Sequence, residues 1–202
     1  MTYTSPAPST SSGLSVLATW ADPGEPFGKP IVLTKIVFNF NPGTKFDTSA
    51  LPICKATDLQ VRALGTKACP ANTLVAHGDT NAIPTTGIPF TTVVSMFNAK
   101  RQIIVVIYLN GKKLTFFRDD VQGSTITSNL DIPAGISLTR LHIEFPRHST
   151  KERRSRRGKA RKRKHYMATP SVCPPSGLWT TNVSFSYADG STQALSSNTP
   201  CK

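Results

Sequence analysis

IIVVIYLNGKKLTFF, residues 103–117, decides the fold. Apolar or aromatic side chains run unbroken from 103 to 109, which reads as a central strand buried on both faces. Asn110-Gly111 follows it. Both residues tolerate the positive φ that a two-residue hairpin turn demands, so KKLTFF is expected to return antiparallel. Upstream, 90–97 is a third β run, joined to the second through Asn98-Ala-Lys-Arg101. Downstream, strands are expected near 124–131 and 136–145, the latter from Ile136, Leu138, Leu141, Ile143 and Phe145. Residues 32–40 alternate with apolar positions on both sides until Asn41-Pro42-Gly43 turns the chain. Near the end, 179–187 reads as a strand and Asp189-Gly190 as the turn into 191–197.

About nine strands at roughly ten-residue spacing predict an antiparallel β-sandwich, jelly-roll-like, formed as a single domain over residues 13–202. One helix interrupts it. In TDLQVRAL, residues 57–64, Thr57 and Gln60 stand at capping-box spacing, Leu59 and Ala63 share a face, and Gly65 suits the C-terminal cap. Its expected role is to plug one end of the sheets. Residues 1–12, rich in Ser, Thr and Pro, are expected to be a disordered linker.

The chain has 202 residues and 24 Lys and Arg against 11 Asp and Glu, a net charge of +13. That charge is local. RHSTKERRSRRGKARKRK, residues 147–164, holds eleven of the basic residues and a single acid, Glu152. Thirteen basic and ten acidic residues remain elsewhere, so the rest of the protein is close to neutral. Charge this dense cannot be buried, and residues 147–165 are expected to form a solvated loop inserted between two strands. Arg147, Lys151, Arg153, Arg154, Arg156, Arg157, Lys159, Arg161, Lys162, Arg163 and Lys164 are the candidate polyanion-binding residues. Their partner would be an anionic cell-surface polymer or a nucleic acid, bound by counterion release and therefore sensitive to salt. No aromatic side chain interleaves the tract, so the stacking platforms of single-strand binders are missing from it.

Four cysteines permit three pairings. Cys54–Cys69 and Cys173–Cys201 close the shortest loops and are expected as disulfides, which persist in oxidising compartments. An extracellular or cell-surface location follows. The opening MTYTSPAPSTSSG has neither the basic nor the apolar region of a secretory signal peptide, and reads as a linker of the kind that follows a removed leader or a misplaced start codon; with Met1 as the genuine start, the usual export route would fail and reduced cysteines would be expected. No stretch reaches the roughly 18 apolar residues of a membrane-spanning helix.

The segment LPICKATDLQVRALGTKACPANTLVAHG, residues 51–78, resembles one in uncharacterised secreted proteins of actinobacteria, through Pro52, Cys54, Leu59, Gly65, Cys69, Pro70, Val75 and Gly78. The closing residues 169–202 are similar to theirs through Thr169-Pro170, Cys173-Pro174, Trp179, Asp189-Gly190 and Pro200-Cys201. About a third of the chain is covered. The resemblance implies secretion and a β-rich domain, and brings no activity with it.

No catalytic motif is present: no G-x-S-x-G, P-loop, dinucleotide-binding glycine pattern or H-E-x-x-H. No cofactor and no metal site are expected, because the cysteines and histidines lack ligand spacing. His77 and Asp79 flank Gly78 at strand spacing and could be half of an acid–base pair on one face. Asp119-Asp120, with Asp131, is a second acidic candidate, more simply a solvated turn. Trp20 and Trp179 could form a carbohydrate platform, though aromatic residues more often fill cores. Asn182-Val183-Ser184 matches a glycosylation acceptor inside a strand. The expectation is a non-catalytic β module contacting anionic polymers through its basic loop. A secreted hydrolase acting on cell-wall or other polysaccharide and a nucleic-acid-binding protein using the same tract are the alternatives.

Overall fold

Alternating and doubly apolar β runs with tight turns leave the backbone only strand partners, and the computed structural model of the protein shows where they pair. It describes residues 1–148 and 164–202. The centre is a five-strand meander: β5 (Leu74–Ile83), β6 (Phe90–Ala99), β7 (Gln102–Leu109), β8 (Lys112–Gln122) and β9 (Thr125–Asn129). Each pairs antiparallel with the next. Asn110 and Gly111 take φ of 50° and 76°, as the hairpin reading of that dipeptide requires. The preceding turn is tighter than expected. Lys100 and Arg101 alone make it, and Asn98 lies buried within β6, its Nδ2 donating to the carbonyls of Thr48, Leu51 and Pro52.

The remaining strands extend the meander on both sides. β10 (Ser137–Phe145) adds to β5, β2 (Leu14–Thr19) to β10 and β1 (Thr2–Tyr3) to β2. On the other side β3 (Leu33–Asn39) adds to β9, then β12 (Leu178–Tyr187) and β13 (Thr192–Pro200). The all-β, sandwich-like architecture is thus one antiparallel sheet of eleven strands, in the order β1-β2-β10-β5-β6-β7-β8-β9-β3-β12-β13, curled until it nearly closes into a barrel. A small second sheet pairs β4 (Lys45–Phe46) with β11 (Met167–Ala168).

The first twelve residues, expected to lie outside the fold, close it. Tyr3 is buried and meets Trp179 edge to face at 5.4 Å, and the Met1 ammonium donates to Ser197 Oγ at 3.1 Å. Ser11 and Ser12 are buried too. Composition alone pointed to a tail; two pairing residues and one aromatic anchor outweigh it.

The helix α1 (Asp58–Leu64) carries the full capping box, with Thr57 and Gln60 bonding each other's backbone, and ends at Gly65. Its position and its buried face both differ from expectation. Leu59 and Ala63 face solvent, and Val61 is the side chain that packs inward. The helix lies across the outer face of β6–β8, where Val61 and the Cys54–Cys69 disulfide join Phe97, Ile104, Val106 and Phe116. Arg118 turns it, donating Nε to Asp58 Oδ1 at 2.8 Å and Nη2 to the Ala56 carbonyl at 2.9 Å. β7 is therefore covered on both sides: Ile103, Val105 and Ile107 inward, Ile104 and Val106 beneath the helix. Cys173–Cys201 ties the start of β12 to the end of β13.

Candidate functional site

Three places gather polar groups, and the sequence named residues at each without showing which partners the first two would meet. On the outer face, register sets His142 of β10 opposite Asp79 of β5, and Glu144 opposite both His77 of β5 and Ser15 of β2. The side chains there form a chain. His142 Nδ1 meets Asp79 Oδ1 at 3.0 Å and His142 Nε2 meets Glu144 Oε1 at 3.0 Å. Ser15 Oγ donates to Glu144 Oε1 at 2.6 Å, and Arg140 donates to Asp79 Oδ2. Gly78 makes the approach of the two strands feasible, since a Cβ there would overlap the His142 carbonyl.

The charges follow from the contacts. Hydrogen bonds to Asp79 and Glu144 raise the His142 imidazole above its ordinary value. Burial pushes the Asp79 carboxyl up, but bonds from His142 and Arg140 outweigh it and hold Asp79 below the usual carboxylate range. With a carboxylate at each ring nitrogen, His142 is best satisfied doubly protonated, and neither nitrogen is left to take a proton from a substrate. Ser15 donates to Glu144 rather than to the histidine, so no activated nucleophile results. The Asp79 half of the expected pair is engaged, then, but with His142 instead of His77, which is exposed. His142, Arg140 and Glu144 escaped the sequence reading because their alignment depends on β10 joining β5 across about sixty residues of chain.

The second place is interior. Asp119, expected in a solvated turn, lies inside β8 facing the lumen and is 2% exposed. Burial raises its carboxyl to about 7, with a Ser128 hydrogen bond opposing and the Asp120 charge adding. Its Oδ1 has no partner among the described residues. Asp120 points the other way and accepts from Gln102 Nε2 at 3.0 Å. Asp131 lies apart from both, its carbonyl accepting from Thr115 Oγ1. The tryptophans do not form a platform: Trp179 is wholly buried, and Trp20 packs edge to face on Phe185 at 5.5 Å. Asn182 accepts from Ser196 Oγ across the β12–β13 pair. Among the described residues no three His, Cys, Asp or Glu side chains converge as a metal set.

The third place is the neck of the basic tract. Lys151 to Arg163 lie outside the described residues, while Arg147 and Lys164 are exposed at its two ends. The neck is pinned. Tyr166 N donates to the His148 carbonyl at 3.3 Å, Asp47 N to the Tyr166 carbonyl at 2.8 Å, and Lys164 Nζ to Ser49 Oγ at 2.9 Å. Tyr166 itself is buried beside His148. No helix among the described residues is long and apolar enough to cross a membrane. No protein-family model matches this chain, and neither a curated protein nor a solved structure matches it, so its own residues carry the functional reading.

Proposed function

We propose that this chain is a non-catalytic β module that works outside the reducing cytosol and contacts anionic polymers at the cell surface through its basic tract. The pinned neck is the observation that carries the reading. His148 and Tyr166, on either side of the tract, hydrogen-bond each other, so the two ends of the segment that carries most of the protein's net charge are held together on the fold. Two disulfides support an oxidising compartment, as does the resemblance to secreted actinobacterial proteins. The same disulfides weigh against an intracellular nucleic-acid role. Catalysis from the outer chain of polar side chains is disfavoured because both nitrogens of His142 are occupied by carboxylates.

The test replaces residues 149–163 with a Gly/Ser loop and measures retention on heparin and on a teichoic-acid-like polymer. The native chain is expected to lose affinity roughly a thousandfold or more between about 50 and 200 mM salt if six or more phosphate-like contacts form. The replaced chain is expected not to bind. Equal retention of the two overturns the reading.

A further inference from the structure

The curled sheet encloses a cavity of about 80 Å³. Its wall is drawn from eight strands and is apolar except for Thr80, Ser128 and Asp119. Thr80 is paired with Thr92 at 2.6 Å, and Ser128 bonds the Asp119 carboxyl. Oδ1 of Asp119 is therefore the one orphaned side-chain atom on that wall among the described residues. An unpaired buried acceptor is costly, and an acid placed in the most apolar part of a fold has no packing reason to be there.

The cavity comes close to the surface at one place. β1 covers only the first two residues of β2, and from Val16 onward β2 and β13 flank an open seam. There a cleft of about 130 Å³ lies between Leu17, Leu195, Val183 and Phe185. Val16, Phe38 and Leu141 line both this cleft and the cavity, so a single layer of side chains separates them.

We propose that the lumen is a binding site for a small apolar alcohol, admitted through the β2–β13 seam and held by a hydrogen bond from its hydroxyl to Oδ1 of Asp119. The chemistry selects the class. A pure hydrocarbon leaves Oδ1 orphaned. An ammonium group would bring an ion into an apolar wall with one partner, and a carboxylate would lose its hydration with no cation on that wall to meet it. A hydroxyl donates to Asp119 whether or not that carboxyl carries a proton. The site is independent of the basic tract.

Propan-1-ol and propane, small enough for a cavity of this size, are titrated into the full chain with its disulfides intact and followed through methyl NMR of Met96 and Ile107, which line the cavity. Saturable shifts with propan-1-ol are expected, with propane about tenfold weaker, the size of one satisfied acceptor. Asp119→Leu should erase that preference and Asp119→Asn, which keeps an acceptor oxygen, should retain most of it. Leu195→Trp, filling the seam, should slow exchange of propan-1-ol without changing its affinity. Shifts that do not saturate, equal binding of the two probes, or a preference surviving in Asp119→Leu overturns the proposal. Exchange unaffected by Leu195→Trp overturns the seam as the route.

Discussion

Asp79 and Asp119 are the same side chain on two strands of one sheet, and they end in opposite states. Asp79 points outward, where Arg140 and His142 keep it ionised. Asp119 points inward, where burial keeps it protonated up to about 7. The difference is the parity of the strand: one residue of register decides whether a carboxylate meets cations or hydrocarbon. The outer face can therefore carry charge at little cost, while among the described residues the lumen holds a single acid whose stability cost depends on pH.

The largest way to break this contrast is to remove the inner acid. An acid with a raised folded value contributes stability below its unfolded value, near 4, and that contribution is lost as pH rises through about 7. Asp119→Leu is thus expected to be more stable than the native chain at pH 8, by on the order of a few kcal/mol, with the gap closing toward pH 4. Denaturant melts at several pH values measure it, and a gap independent of pH would mean that Asp119 is not the titrating group. Removing the Cys54–Cys69 bond with C54S/C69S should cost roughly 3 kcal/mol in the loop-entropy model, and loosen α1 from β6–β8. Hydrogen exchange is expected to rise at α1 while the lumen-facing amides stay protected.

Gly78→Ala sharpens the outer half. Forcing a Cβ against β10 should cost about 1–3 kcal/mol and separate Asp79 from His142. Loss of the His142 shift in an NMR titration would register the separation; an unchanged value would show that the strands yield without parting. The smallest effect belongs to the outer pairs themselves. Asp79→Asn or His142→Gln should cost less than about 1 kcal/mol, less still in high salt. The contribution of His142 is present below its ordinary value and fades as pH rises through the raised one, whereas that of Asp79 fades as pH falls through its lowered one. The outer chain is therefore strongest in mildly acidic solution.

Local chemistry was legible wherever a feature is made within a few residues. The Asn110-Gly111 hairpin, the Thr57–Gln60 capping box and the doubly buried strand through Val105 and Val106 follow from neighbouring side chains. Both disulfides followed from loop length. Partnerships between distant strands were not legible. Asp119 looked like part of an acidic turn because nothing in Asp119-Asp120 states which of the two faces inward. His142 had no visible connection to Asp79, and residues 1–12 had too little apolar content to announce that Tyr3 would seal the sheet against Trp179.

By itself, then, the order of residues determined the β class, the turns, the cap, the cysteine pairs and the place where charge concentrates, since each is set by short-range sterics or by simple counting. Tertiary structure alone decided that the sheet curls around an apolar lumen, that α1 covers an outer face, and that two aspartates take opposite states. Those outcomes depend on register between strands far apart in the chain, and a register is chosen only when all the strands bury their apolar faces together.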